Sequence, residues 1–424
     1  MRLPIRVQNI AAAQFDILNT RAAELRAAGH RVISLGQALP GFGPPPAAIA
    51  AAHAALDTAE AHIYSADAGL IGLREALCEK LGTANGCPEP AEMGGATANE
   101  IRPDEVIITA GGNQAFMLAL MTLVDPGDEV LLPAPYFVNH EMAIAAFGAV
   151  PREVPLDEAR AFAVRWDDLA PHLTSRTRAV VICTPSNPTG AVIAADEITR
   201  LVRELAARGV VLFSDETYGR FVYGEQGRPE GRPLQGNGRP LHLSAANRAA
   251  SACDVPGWRE NVVVLGTFSK SFGMTGWRVG YMIADRRVCD EAIKIQDAMV
   301  ICAPVVSQRG VEAAIRESWD YPLTFRDELI ARRQLLIDGL AKIPRLHWTP
   351  TGGGFFAFVR VEGCTDSARL ANEILEQAHV VTIPGSTFGR SGEGFIRLSY
   401  SAVSRDELSE AVERLQASAL RPHG

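Results

Sequence analysis

Between about Pro46 and Lys294, short apolar runs bounded by glycine and proline alternate with stretches of helical period. The runs are EVIIT (Glu105 to Thr109), DEVLL (Asp128 to Leu132), RAVVIC (Arg178 to Cys183), GVVLFS (Gly209 to Ser214), NVVVLG (Asn261 to Gly266) and VGYMIA (Val279 to Ala284). Their hydrophobicity is nearly continuous rather than alternating, which is what a strand requires when helices cover both of its faces. This predicts an α/β fold: a large domain with a mostly parallel sheet sandwiched by helices. The intervening segment Ala194 to Arg208 reads as a helix, with Asp196 and Glu197 in its first turn and Arg208-Gly209 at its end, so charge and cap both match the dipole.

Beyond about Pro304, long helical periods precede FFAFVR, VVTIP and FIRLSY as strands, and a closing helix starts at Ser404. A chain of 424 residues exceeds the size at which one core keeps growing. The expected division is a large domain over 46–303 and a smaller α+β domain over 304–424, which recruits residues 1–45. Two stretches, Gly86 to Asn99 and Gly224 to Gly257, are longer than ordinary connections and read as insertions.

Composition narrows the function classes. Hydrophobic residues make up 47% of the chain, enough for large cores, and Lys+Arg 41 against Asp+Glu 49 leaves a net charge of -8 without a basic stripe. That argues against a nucleic-acid partner. No apolar stretch approaches the roughly 18 residues of a membrane span. Seven scattered cysteines without a C-x-x-C pair argue against both a disulfide framework and a metal site, so a cytoplasmic compartment is expected.

The most informative window is GTFSKSFGMTGWRVG (Gly266 to Gly280), where Lys270 sits among Thr267, Ser269 and Arg278. A lysine becomes an amine nucleophile when hydroxyls and a guanidinium fix an anionic carbonyl partner against it, an arrangement that suits pyridoxal 5'-phosphate. That cofactor needs a lysine, an acid at its pyridine nitrogen, a phosphate cradle and a platform for its ring. Asp215, ending a buried strand in VVLFSDETYGRF, is the candidate acid. Tyr218, three residues on, and Asn187 in TPSNPTGAV can donate to the phenolic oxygen. AGGNQAF (Ala110 to Phe116) offers a glycine pair at a helix N-terminus as the cradle, with Thr267 and Arg278 adding a hydroxyl and a guanidinium. PAPYFVNH (Pro133 to His140) supplies Tyr136 and Phe137 as stacking rings. Arg397 interrupts the apolar strand GFIRLSYS, and its burial calls for an anionic partner such as a substrate α-carboxylate, or else a structural ion pair.

Taken together, AGGNQ, PYF, SNPTG, SDETYG, SKSFGMTGWRVGY, PGSTFG and FIRLSY resemble the fold-type I, class I/II aminotransferases over nearly the whole chain. The resemblance implies Lys270 as Schiff-base lysine and proton shuttle, Asp215 on the pyridinium, and Asn187 and Tyr218 on the phenolic oxygen. It also implies backbone amides of Gly112 and Asn113 on the phosphate, with Thr267, Arg278 and Ser269 around it, Phe137 as the stacking ring, and Arg397 on the substrate carboxylate. Tyr64 resembles the tyrosine that reaches the neighbouring subunit's phosphate, which implies a homodimer with shared active sites. ISLGQALPGFGPPP is similar to the LGQGFPDF segment of the kynurenine, glutamine and methionine aminotransferase branch, where Gly36 would approach the substrate; the aspartate of that segment is lost here. Asn113 stands where many relatives carry lysine. The expected reaction moves an amino group between an L-amino acid and a 2-oxo acid by a ping-pong route. The same cofactor and fold also admit β-elimination or amino-acid oxidation. A non-catalytic regulatory module is disfavoured by the lack of a DNA-binding segment.

Overall fold

The computed structural model describes residues 2–8, 10, 14–82, 100–223, 248–418 and 420. The expected insertion at 86–99 and the 224–247 part of the second one lie outside them. A short strand β1 (Ile33–Ser34) precedes a seven-stranded sheet built from β2 (Val106–Thr109), β3 (Glu129–Ala134), β4 (Val150–Pro155), β5 (Thr177–Cys183), β6 (Val211–Asp215), β7 (Val262–Thr267) and β8 (Gly280–Ile283). Its order is β2-β8-β7-β6-β5-β3-β4. All pairings are parallel except those of β8, which runs antiparallel to both β2 and β7.

Successive residues of these strands enter two different cores, as the period of a strand demands. Val180, Ile182, Leu212 and Val264 pack on one face, and Val181, Phe213, Val263 and Leu265 on the other. Burial on both faces explains the continuous apolar runs. The strand β4 has no such run, because it lies at the sheet edge and is half-exposed; its VPREVP segment passes unnoticed in the sequence.

The reversed strand β8 positions the site. Parallel strands end at one edge of the sheet, and β8 starts there, so the residues preceding it join those that follow β2, β3, β5, β6 and β7.

A second, antiparallel sheet has the order β12-β13-β10-β9, with β9 (Leu346–His347), β10 (Phe356–Val361), β12 (Ile383–Pro384) and β13 (Phe395–Ser399). β11 (Val380–Val381) pairs in parallel with β1. From the helix Gln14–Ala27, Leu18, Ala22 and Leu25 pack with Phe358, Leu375 and Phe395, so the N-terminal segment shares this second core. The closing helix Arg405–Gln416 is capped by Ser404, whose side chain accepts from the Glu407 amide.

One expected boundary moves. The helix Val305–Ser318 follows residue 304, yet Val305, Val311, Ala314 and Ile315 belong to the core of the large sheet. Beyond that helix, the chain joins the smaller core with the helix Arg326–Leu340, through Leu329 and Leu336. A helical period shows that a face is buried, not which sheet buries it.

The described cysteines, Cys78, Cys183, Cys253, Cys289, Cys302 and Cys364, are all free thiols. Among the described residues no group of acidic, histidine and cysteine side chains is arranged to hold a metal, and no helix is long and apolar enough to cross a membrane.

Candidate active site

At the carboxyl edge of the large sheet lies a cavity of about 350 Å³. Its walls bring together Gly112, Asn113, Phe137, Asn187, Asp215, Tyr218, Thr267, Ser269, Lys270, Arg278 and Arg397. Residues from six chain segments therefore meet where the topology leaves a crevice.

Lys270 lies in the short helix Phe268–Ser271, directly after β7. Its Nζ donates to the Ala38 carbonyl at 2.7 Å. Burial, reinforced by the positive charges of Arg397 and Arg278, pulls its pKa down from 10.5 to about 8. An amine with that affinity is neutral in a useful fraction of molecules near neutral pH, which a nucleophile or base requires.

Asp215 ends β6 and is 9% exposed. Burial pushes its pKa up, but a side-chain contact from His140 and hydrogen bonds from Thr217 outweigh this, and the net direction is downward. His140 Nε2 stands 3.2 Å from Oδ2, and the Thr217 amide donates to Oδ1 at 3.0 Å. The next residue behaves oppositely. Burial raises Glu216 to about 7, even though the Ser214 and Ser251 hydroxyls and the Ala252 amide all donate to its Oε1. Of the two adjacent acids, only Asp215 lines the cavity as a stabilised anion.

His140 is one residue that sequence reasoning missed. It stands in the quoted PAPYFVNH segment, three residues after Phe137 at the start of the helix Val138–Phe147, a spacing that puts both on one face. The Phe137 ring meets the His140 ring edge-on at 5.4 Å, and Phe116 packs on it at 4.5 Å. The signal was an i, i+3 aromatic–histidine pair. Tyr136, the other ring offered by that segment, does not line this cavity.

The cradle forms where β2 gives way to the helix Gly112–Leu123. Gly111 caps that helix with φ +91, and a Cβ on it would stand 2.1 Å from Arg278 Nη2, so only glycine fits. The guanidinium of Arg278 donates to the Thr275 and Ala110 carbonyls at 2.9 and 3.3 Å. Arg278 itself is in the left-handed region, φ 54, a conformation that costs energy for a non-glycine residue and is held here by its neighbours. The Thr267 and Ser269 hydroxyls are 2.9 Å apart beside it. A helix N-terminus, a guanidinium and two hydroxyls thus converge without an anionic side chain among them, which fits a phosphate.

Arg397 on β13 is 1% exposed. Its Nη1 donates to Asn187 Oδ1 at 2.9 Å and its Nη2 to the Gly36 carbonyl, while Nε finds no partner. The rings of Phe15, Phe356 and Phe388 lie about its guanidinium at 5.3, 5.1 and 5.0 Å. Burial lowers its pKa to about 10. No carboxylate among the described residues pairs with it, so the structural ion pair that the sequence left open does not form. A desolvated guanidinium on the cavity wall, without a counter-charge among the described residues, suits a carboxylate from outside.

Tyr218 is buried against Phe355 and Phe356, its pKa raised by burial, and its hydroxyl makes no hydrogen bond with the described residues. Gly36 reaches the site through its carbonyl; its α-carbon faces Val381, whose Cγ1 would stand 2.8 Å from an added Cβ. Tyr64 does not join this cavity and is 74% exposed. Phe42 stacks on Phe325 at 4.0 Å and is likewise no part of the cavity wall, whereas Phe15, Asp16, Asn19, Gln37 and Ala38, not singled out beforehand, are.

The family model described as aminotransferase class I and II matches residues 30–415. The chain is 32% identical over 420 residues to a probable aspartate/prephenate aminotransferase of Aquifex aeolicus, covering 98% of each chain. It is 31% identical to aromatic-amino-acid aminotransferase 2 of Thermococcus litoralis, covering 91% of each. The solved structure of an aspartate aminotransferase from Thermotoga maritima superposes with a TM-score of 0.84 at 28% identity, covering 98% of this chain and 99% of that one. These relatives carry aspartate, prephenate and aromatic names, so the finer likeness to the kynurenine, glutamine and methionine branch is not carried by them.

Proposed function

The chain belongs to the class I and II aminotransferases, pyridoxal-phosphate-dependent transaminases, and from that premise we propose that the cavity at the sheet edge holds the cofactor through Lys270 and the substrate through Arg397. The observation that carries this reading is the buried Arg397 guanidinium, without an anionic partner among the described residues, on the same cavity as the partly deprotonated Lys270. In this reading Asp215, steadied by His140, faces the pyridine nitrogen. Tyr218 and Asn187 would hold the phenolic oxygen, and Phe137 would support the ring. The amides of Gly112 and Asn113, with Thr267, Ser269 and Arg278, hold the phosphate.

Bound there, pyridoxal phosphate supplies an aldehyde that captures amines and a cationic ring that draws electrons from the α-carbon. The protein's own share is placement and proton transfer. Arg397 fixes the α-carboxylate of an L-amino acid in a bidentate grip, which leaves the α-hydrogen within reach of one base. Lys270 Nζ is that base and takes the α-proton, its reduced affinity keeping it competent near neutral pH. Asp215, its proton affinity lowered by His140 and Thr217, would keep the ring nitrogen cationic.

The same reading assigns Tyr64 to a partner's site. Its exposure, with Leu56, Ile63 and Ile71 of the same stretch of chain also more than half exposed, supports a homodimer that covers these apolar side chains. It places the larger domain at about 46–320 and the smaller one after it, joined by residues 1–45. Free thiols and scattered cysteines support a cytoplasmic setting.

Borohydride reduction after incubation with pyridoxal phosphate tests the assignment directly. Peptide mapping is expected to find the label on Lys270, and Lys270→Ala is expected to lose turnover by about 10⁴-fold or more. Label on another lysine, or a fully active variant, would remove the basis of this mechanism.

A further inference from the structure

The cavity's cations are all committed in this reading: Lys270 to the cofactor, Arg278 to phosphate and Arg397 to the α-carboxylate. Among the described residues no further lysine or arginine lines it. What remains for the rest of a substrate is a set of amides, Asn19, Gln37, Asn113 and Asn139, together with one acid, Asp16. Asp16 is exposed, in the first turn of the helix Gln14–Ala27. It makes no ion pair or side-chain hydrogen bond with the described residues. It is also tied to the substrate end of the cavity, because the ring of the preceding residue, Phe15, faces the Arg397 guanidinium at 5.3 Å.

Within this chain's own described lining, a side chain with a second carboxylate would therefore meet an unpaired negative charge and no free cation. One ending in a cation would meet an acceptor with nothing else to bind. We propose that Asp16 is a specificity-determining residue, disfavouring amino donors with a second carboxylate and favouring donors whose side chain ends in an ammonium or guanidinium group. The proposal rests on the transaminase reading above and names its substrate class. Asn19, Gln37 and Asn113 complete the polar wall as hydrogen-bonding groups that carry no charge of their own.

The expected size of the effect follows from exposure. A unit charge pair at the mouth, partly screened by water and salt, changes relative rates by about fivefold rather than by orders of magnitude. Single-turnover absorbance changes of the holoenzyme with L-ornithine, L-lysine and L-arginine against L-aspartate and L-glutamate measure it. The wild-type protein is expected to favour the cationic group. Asp16→Asn is expected to cut the cationic-to-dicarboxylic ratio about fivefold, and Asp16→Glu to keep it within about twofold. The wild-type ratio should also fall as salt is raised through 0.5 M, which a merely structural aspartate would not produce. A wild-type preference for aspartate or glutamate, or an Asp16→Asn ratio equal to that of the wild type, overturns the proposal. No response to any amino acid would overturn the transaminase reading and this proposal with it, whereas a response confined to dicarboxylic acids overturns the proposal alone.

Discussion

The floor and the mouth of the cavity are built on different physical principles. On the floor, Asp215 ends β6, Lys270 stands in the short helix after β7 and Arg397 lies within β13, where removing water changes their proton affinities and leaves Arg397 short of a counter-charge. At the mouth, Asp16 is exposed at the start of a helix that packs on the smaller core. Burial makes each floor charge strong and non-negotiable, because a low-dielectric site amplifies every unpaired group. Exposure makes the mouth weakly discriminating, and so adjustable from one relative to another without disturbing the chemistry. On the proposed reading, the comparison teaches that reaction type and substrate choice would be written in separate layers.

Substitutions can break that contrast at graded cost. After Lys270→Ala, the largest loss is expected from Arg397→Ala, with kcat/KM down by about 10²- to 10³-fold, since the bound carboxylate would be desolvated without its guanidinium. Arg397→Lys should recover little of this, because a point charge cannot replace the fork that already engages Asn187 and Gly36. Steady-state kinetics on both variants check the floor's claim; a loss under fivefold would place Arg397 outside substrate binding.

His140→Ala comes next. Loss of a hydrogen bond to a buried carboxylate is worth about 1.5–3 kcal/mol, or roughly 10- to 100-fold in turnover. Because the folded Asp215 is held below its usual pKa partly by His140, the variant's activity should also fall off at a higher pH on its acid side. An unshifted acid limb in the pH profile would reduce His140 to packing.

The pH dependence of cofactor loading is smaller again. An apo-protein amine with a pKa of about 8 is charged below it and neutral above it, so the loading rate should climb about tenfold between pH 7 and 9 and then level off. A rate still rising steeply at pH 10 would mean that Lys270 keeps its ordinary affinity. The mouth gives the smallest response, the roughly fivefold shift in donor ratio at Asp16.

Much of the floor was legible in the chain itself. Apolar runs marked six strands of the large sheet within a few residues, and glycine, hydroxyl and aspartate punctuation marked where their carboxyl ends carry polar groups. The edge strand Val150–Pro155 was illegible because an edge needs no continuous apolar run. The helix Val305–Ser318 was legible as a helix but not as part of the larger core. Asp16 gave no signal, since an acid in a first helical turn has an ordinary explanation in the dipole.

By itself the sequence determined the layered α/β plan and pointed to most of the polar groups that the cavity brings together, because strand burial, helix caps and tight turns are decided by residues close together along the chain. Only the tertiary structure decided what those groups experience. The reversal of β8 carried Arg278 to the edge where Lys270 stands, and packing across 210 residues set Arg397 against Asn187 rather than against an acid. His140 came to rest on Asp215 by the same kind of long-range packing. Proton affinity and unpaired charge depend on which distant atoms exclude water, and that is a property of the folded arrangement alone.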